Sequence, residues 1–153
     1  MVFMTLEEAV DFFNQRKGNC AQAIFAMYNN AFNLSNIDPA TCLKLTAAFG
    51  GGIANTGNVC GALTGALMIL GLKYGVSDNE SANKEDIMKV IMLSQQLLEK
   101  FEELHGSILC KELINHDLRT PEDIQHAFES GAFDKCSKIV EDTSSLLDDL
   151  IDD

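Results

Sequence analysis

The stretch VCGALTGALMILGL at residues 59–72 decides the fold, because Thr64 is its single polar side chain. A membrane-spanning helix needs about twenty apolar residues, whereas this stretch has fourteen before it meets polar residues. We therefore expect a fully buried helix at the centre of a globular domain. Gly57, Gly61 and Gly65 recur every four residues, so one face should let another helix or a cofactor approach the backbone closely.

The rest of the chain carries apolar residues at helical spacing and shows no sustained apolar/polar alternation. The sequence therefore predicts an all-α, single-domain bundle of about six to eight helices over residues 1–153. Thr5 with Glu8, and Asp38 and Thr120 before proline, are typical helix starts. The expected helices span residues 5 to about 16, 19–31, 39 to about 49, about 58–73, 81–105, 108–114, 121 to about 128, and about 136–147.

The chain is acidic, with 23 acidic and 11 basic side chains and a formal net charge of -12. Residues 1–77 contain equal numbers of each, so the whole surplus lies in residues 78–153. This charge argues against nucleic acid and anionic membrane surfaces as partners. We expect any homodimer to form through the neutral residues 1–77. The last acids, Asp148-Asp149 and Asp152-Asp153, are expected to form a frayed tail.

Five cysteines raise the question of compartment. Residues 1–8, MVFMTLEE, contain no basic segment or twin arginine, so we expect a cytoplasmic protein. Thiols stay reduced there and serve as core residues, metal ligands or transient redox groups. Four of the cysteines fall in early turns of the expected helices, where the helix dipole favours the thiolate: Cys20, Cys60, Cys110 and Cys136. From spacing alone, these four cysteines can be either small hydrophobic core residues or residues that bind a metal or take part in redox chemistry.

Several common kinds of binding or catalytic site are excluded, because the sequence lacks residues that they require. No C-x-x-C or C-x-x-C-H occurs, and the glycine loop at residues 50–58 lacks the lysine of a phosphate loop. His105, His116 and His126 lack metal-like spacing and are expected to be surface or capping residues. No arrangement of residues indicates a hydrolase, so the sequence does not support an enzyme that acts alone on a small molecule.

The motif CGALTG at residues 60–65 lies within a longer glycine-rich stretch, residues 49–75. Here the chain resembles a family of redox-active proteins named for four cysteines that include a C-G-A-x-x-G motif. The resemblance extends over about residues 15–147. Its four cysteines match Cys60 and, in the segments NCAQA, GSILC and KCSKIV, Cys20, Cys110 and Cys136. Cys42 falls outside the pattern and is expected to be a plain core or surface thiol.

The resemblance implies a redox-associated protein with a prosthetic group such as an iron–sulfur cluster, and an oxidoreductase or transporter-associated protein as partner. Some relatives are exported by a twin-arginine signal, which residues 1–8 lack. The leading hypothesis is electron transfer or redox sensing by a metal centre on Cys20, Cys60, Cys110 and Cys136, with Gly61 beside it. One alternative pairs the same cysteines as redox disulfides. Another places structural zinc on them, in a helical interaction module.

Overall fold

The computed structural model describes residues 5–151, and within that range it contains eight α-helices and no strand. The helices are α1 (Leu6–Asn14), α2 (Cys20–Ala31), α3 (Pro39–Thr46), α4 (Gly61–Tyr74), α5 (Lys84–His105), α6 (Cys110–Ile114), α7 (Pro121–Glu129) and α8 (Asp134–Leu150), and a 3₁₀ turn, Ala47–Phe49, follows α3. The predicted all-α bundle is confirmed. Residues 1–4 and 152–153 lie outside the described range, and with them part of the N-terminal segment 1–8 and the last two acids of the expected tail.

Local capping groups set the starts of α1, α2, α3 and α7 where the sequence predicted them. The Thr5 hydroxyl accepts from the Glu8 amide at 3.2 Å, and the Glu8 carboxylate accepts from the Thr5 amide at 3.0 Å. Asn19 caps α2 in the same reciprocal way with Gln22. Such pairs satisfy amides that have no partner inside the helix, which fixes the first turn.

The start of the long helix α5 differs from the prediction. We expected it at Ser81, but α5 begins at Lys84 with Asn83 as its cap. The Ser81 hydroxyl instead donates to the carboxylate of Asp78 at 2.7 Å and closes a preceding turn, whereas the Asn83 side chain accepts from the Asp86 amide at 2.9 Å. The better cap therefore lies two residues later than predicted.

The core forms where α2 and α4 pack against each other. A methyl group on Gly61 would lie 3.2 Å from the Ala21 amide nitrogen, and one on Gly65 would lie 2.9 Å from the Ala21 carbonyl oxygen. Gly61 and Gly65 therefore make the close approach that the sequence predicted, and the neighbouring helix is α2. Gly57 differs, because it precedes α4 and a methyl group there would lie 2.6 Å from the Cβ of Lys111.

Ala21 and residues 23–29 of α2 are buried, as are seven of the fourteen residues of α4. The expectation of a fully buried helix is wrong for the last turn of α4, where Gly71 and Leu72 are exposed.

The long helix α5 lies at the periphery, where it packs on α4 and α8. Its fully buried side chains are Leu97 and Phe101. Ile91 of the same helix is apolar but 45% exposed. Because α5 has neighbours on one side only, its buried stripe is narrower than the apolar periodicity indicates.

The last helix, α8, buries the predicted face, which comprises Cys136, Ile139, Val140, Thr143 and Leu147. The expectation that it frays at Asp148-Asp149 is wrong, because α8 continues to Leu150. The buried Tyr28 hydroxyl donates to the Asp148 carboxylate at 2.5 Å and holds the final turns in place. Over the described part of the chain, no helix is both long and apolar enough to cross a membrane.

Candidate functional site

Cys60 and Cys110 are brought side by side by a short backbone pairing. The Cys60 amide donates to the Ile108 carbonyl at 2.8 Å, and the Cys110 amide donates to the Asn58 carbonyl at 2.7 Å. Between them, Val59 and Leu109 form an antiparallel bridge. This pairing keeps residues 58–60 extended, so α4 begins at Gly61, not near Asn58, and Cys60 caps α4 instead of lying in its first turn.

The other two cysteines of the set lie at helix starts, as predicted. Cys20 is the first residue of α2, after its cap Asn19, and Cys136 is the third residue of α8. Cys110, likewise, is the first residue of α6. Four helix N-termini therefore contribute one cysteine each, and their positive dipole ends favour negative charge on the sulfurs.

The four thiols meet in space. Each of the six pairs among Cys20, Cys60, Cys110 and Cys136 interacts electrostatically. The Cys20 thiol donates a hydrogen bond to the sulfur of Cys136, which raises the pKa of Cys20 well above its ordinary value and lowers that of Cys136. Burial and the other thiols raise the pKa of Cys20 further. The sequence could name these residues, but only the fold shows that they converge.

Burial dominates the ionisation of the remaining pair. It raises the pKa of the Cys60 thiol to about 11, although the amides of Ala62 and Leu63 face the sulfur and oppose the rise. Burial, followed by the charges of Cys60 and Cys136, raises the pKa of Cys110 to about 12. Gly61 packs against α2 at this turn, and its expected role in a cofactor site stays a prediction.

A glycine loop that precedes Cys60 shapes the site. Five consecutive residues adopt left-handed conformations, with φ of 62° at Gly51, 71° at Gly52, 67° at Ile53, 50° at Ala54 and 60° at Asn55. A methyl group on Gly52 would lie 2.7 Å from the Cys110 Cβ, so the loop backbone lies directly against that cysteine. The sequence predicted a tight turn here, but it gave no sign that Ile53, a β-branched residue, is left-handed.

Beside the thiols lies a cavity of about 360 Å³. Cys20, Cys110 and Cys136 line it, whereas Cys60 is 5% exposed and does not line it. Small residues of the glycine loop form part of the wall, and the apolar part is formed by Phe13, Leu118, Ile124, Phe128 and Phe133. Sequence analysis missed these wall residues, because they come from distant segments and share no motif.

The remaining candidates lie outside this cluster. Cys42 is 1% exposed, and the Asn29 amide nitrogen lies 3.3 Å from its sulfur, so it is a core thiol as predicted. His116 bonds to the Ile114 carbonyl at 2.9 Å, in keeping with a capping role. His105 differs from the prediction: its side chain is 14% exposed and lies 3.3 Å from the Asp142 carboxylate, inside the contact between α5 and α8.

The donor set is compatible with a thiolate-bound metal centre. Iron–sulfur clusters and structural zinc both take four cysteine thiolates, and four cysteines near helix starts here interact electrostatically with one another. In the arrangement described for residues 5–151, no group of three or more His, Cys, Asp or Glu side chains is placed to hold a metal ion. The fit therefore rests on donor chemistry and on the shared electrostatics of the four thiols.

Comparison with protein families gives one match. The family model described as "Putative redox-active protein (C_GCAxxG_C_C)" matches residues 18–150. No curated protein and no solved structure gives a significant match. The matched range includes all four cysteines of the cluster and the CGALTG motif at residues 60–65. The match covers most of the length of the chain, and the chain therefore belongs to the C_GCAxxG_C_C family.

Proposed function

We propose that the chain is a small redox protein whose four clustered cysteines bind an iron–sulfur cluster used for electron transfer or redox sensing. The observation that carries the proposal is the convergence of Cys20, Cys60, Cys110 and Cys136, with electrostatic interaction between every pair. When bound, such a cluster supplies one-electron chemistry. The family description, a redox-active protein, agrees with this function.

The electrostatics of the site support a bound cation. Burial holds Cys60 and Cys110 in the neutral thiol form, since isolated buried thiolates are costly. A metal centre removes that cost, because it takes the ionised sulfurs as ligands. The amides of Ala62 and Leu63, which face the Cys60 sulfur, then stabilise its negative charge and tune the site's potential.

The ligand assignment is tested by a matched pair of substitutions, Cys60→Ser and Cys42→Ser. Both residues are buried, so both variants place a hydroxyl where a thiol lay in the core. We expect Cys60→Ser to lower the iron bound per chain after anaerobic purification, and Cys42→Ser to leave it unchanged. Equal loss of iron in both variants, or loss in Cys42→Ser alone, contradicts the assignment.

A second candidate function, thiol–disulfide exchange, is favoured by the hydrogen bond between Cys20 and Cys136. A lowered pKa at Cys136 beside a neutral Cys20 thiol is typical of a reactive dithiol. In this function the two thiols give up two protons and two electrons and form one disulfide, while the disulfide of a partner is reduced to two thiols. This alternative is favoured if the purified protein contains no iron and if Cys20 and Cys136 react as free thiols after reduction but not after oxidation.

We also propose that the electron donor or acceptor is another protein, an oxidoreductase or a transporter-associated protein, in the cytoplasm. The support is the family description as a redox-active protein, because a redox centre exchanges electrons with a partner. Zinc bound in place of iron supports instead a structural role for the four cysteines, as an interaction module. Elemental analysis of the purified protein distinguishes the two metals.

A further inference from the structure

A second cleft adjoins the thiol cavity, and the sequence gave no sign of it. It has a volume of about 340 Å³ and shares three aromatic walls with the cavity, those of Phe13, Phe128 and Phe133. The rings of Phe128 and Phe133 are in contact, with centroids 4.7 Å apart. The two spaces are therefore neighbours separated by aromatic side chains, with the cysteines on one side only.

Arg16 gives the second cleft its charge. Its guanidinium carbon lies 3.5 Å from the centroid of the Phe128 ring, a stacking distance. Its backbone is left-handed, with φ of 58°, in the turn that follows α1. Within residues 5–151 no carboxylate lies within ion-pair distance of Arg16.

One carboxylate, that of Asp134, also lines the cleft. Asp134 is the first residue of α8, and its carboxylate lies beside Gly131, in the turn before the helix. There the positive end of the α8 dipole stabilises it. Asp134 therefore interacts with the N-terminus of α8, and the Arg16 guanidinium remains available to bind a ligand.

We propose that this cleft binds a planar aromatic small molecule that carries a phosphate or carboxylate group. The ring system packs against Phe13 and Phe133, and the anionic group binds the Arg16 guanidinium, which is held over the Phe128 ring and whose planar fork suits such oxygens. The idea that this ligand exchanges electrons with the thiol site rests on the proposed function. Binding itself depends only on the cleft.

Flavin mononucleotide and riboflavin are suitable probes, because they share one ring system and differ by a phosphate. Titration followed by flavin fluorescence should show flavin mononucleotide binding about tenfold more tightly, the gain typical of one charge-assisted contact. Arg16→Gln should remove this difference, and Arg16→Lys should restore part of it. Lys17→Gln removes the same charge from the adjacent exposed residue and should have no effect.

The proposal is overturned if neither probe binds, if both bind equally, or if Lys17→Gln weakens binding as much as Arg16→Gln does. Iron content is measured on the same samples. Arg16→Gln should retain it, whereas Cys60→Ser should lose iron and still bind flavin mononucleotide. A parent protein that contains no iron but binds flavin mononucleotide contradicts only the proposed function, and a parent protein that contains iron but binds neither probe contradicts only the cleft proposal.

Discussion

The Cys110 amide donates to the carbonyl oxygen of Asn58 at 2.7 Å, and so places the third cysteine of the family pattern beside the second, Cys60. The bond is made by the backbone and does not depend on either side chain. Gly52 completes the arrangement, because its own carbonyl accepts from the Asn58 amide at 2.8 Å. Two distant segments are thus tied together at the point where the metal centre is proposed.

Gly52→Ala should disrupt this arrangement. The added methyl would lie 2.5 Å from the Asn58 carbonyl oxygen and 2.7 Å from the Cys110 Cβ, in a backbone with φ of 71°. Both the clash and the left-handed conformation are unfavourable, so we expect a loss of about 2 kcal/mol or more in unfolding free energy. The iron content should fall as well. Chemical denaturation and iron analysis measure the two effects.

Gly71→Ala is the control for that experiment. Gly71 lies in α4, and a methyl group there would meet nothing within 4 Å. Alanine is favoured over glycine within a helix by about 1 kcal/mol. The Gly71 variant should therefore be as stable as the parent or more so, with full iron content. Equal behaviour of the two variants contradicts the role assigned to Gly52.

Gly65→Ala should weaken the packing of α4 on α2 without touching the cysteines. Its methyl would approach the Ala21 carbonyl oxygen to 2.9 Å and the Ile24 Cβ to 3.2 Å. Overpacking of this kind costs about 1–3 kcal/mol. Urea denaturation should show this loss, while the iron content per folded chain stays unchanged. A variant as stable as the parent indicates that the two helices are less tightly packed than described.

Raising the pH should destabilise the reduced, metal-free protein. Unfolded cysteines ionise near the ordinary pKa of 9.0, whereas burial raises the pKa of folded Cys60 to about 11. The folded state therefore keeps a proton that the unfolded state loses, and stability present below pH 9 falls as the pH rises towards about 11. For Cys60 alone the loss is about 3 kcal/mol. Cys60→Ser should show a shallower decline, and an identical profile contradicts this assignment.

Mild oxidation of the metal-free protein should link Cys20 to Cys136 before any other pair. These two sulfurs share a hydrogen bond, and the lowered pKa of Cys136 supplies the attacking thiolate. Peptide mapping by mass spectrometry identifies the first disulfide formed. A first disulfide that includes Cys42, which is buried against Asn29, contradicts the described arrangement.

Local signals in the sequence were enough to predict much of the fold. Thr5 with Glu8, and Asn19 with Gln22, cap their helices through residues three positions apart, so a short window contains all the information. The buried face of α8 also follows from periodicity. Residues of this kind interact with near neighbours in the chain, and their effect does not depend on the rest of the molecule.

Long-range contacts could not be predicted in this way. The pairing of residues 58–60 with 108–110 depends on backbone groups that every sequence carries, so no residue type indicates it. Ile53 is left-handed because the loop around it is bonded elsewhere, for example from the Ala54 amide to the Ala48 carbonyl at 2.7 Å. Likewise, the cleft beside Arg16 uses phenylalanines from distant segments. Sequence therefore identified the cysteines, but it could not identify their surroundings.

The most direct test of the central claim is the iron content and visible absorbance of the full chain purified without oxygen. We predict bound iron and a broad absorbance between about 350 and 500 nm that a reductant bleaches, as thiolate-ligated iron–sulfur clusters show. The signal should disappear in Cys60→Ser and persist in Cys42→Ser. A colourless parent protein that contains no iron would contradict the proposal that Cys20, Cys60, Cys110 and Cys136 hold a cluster.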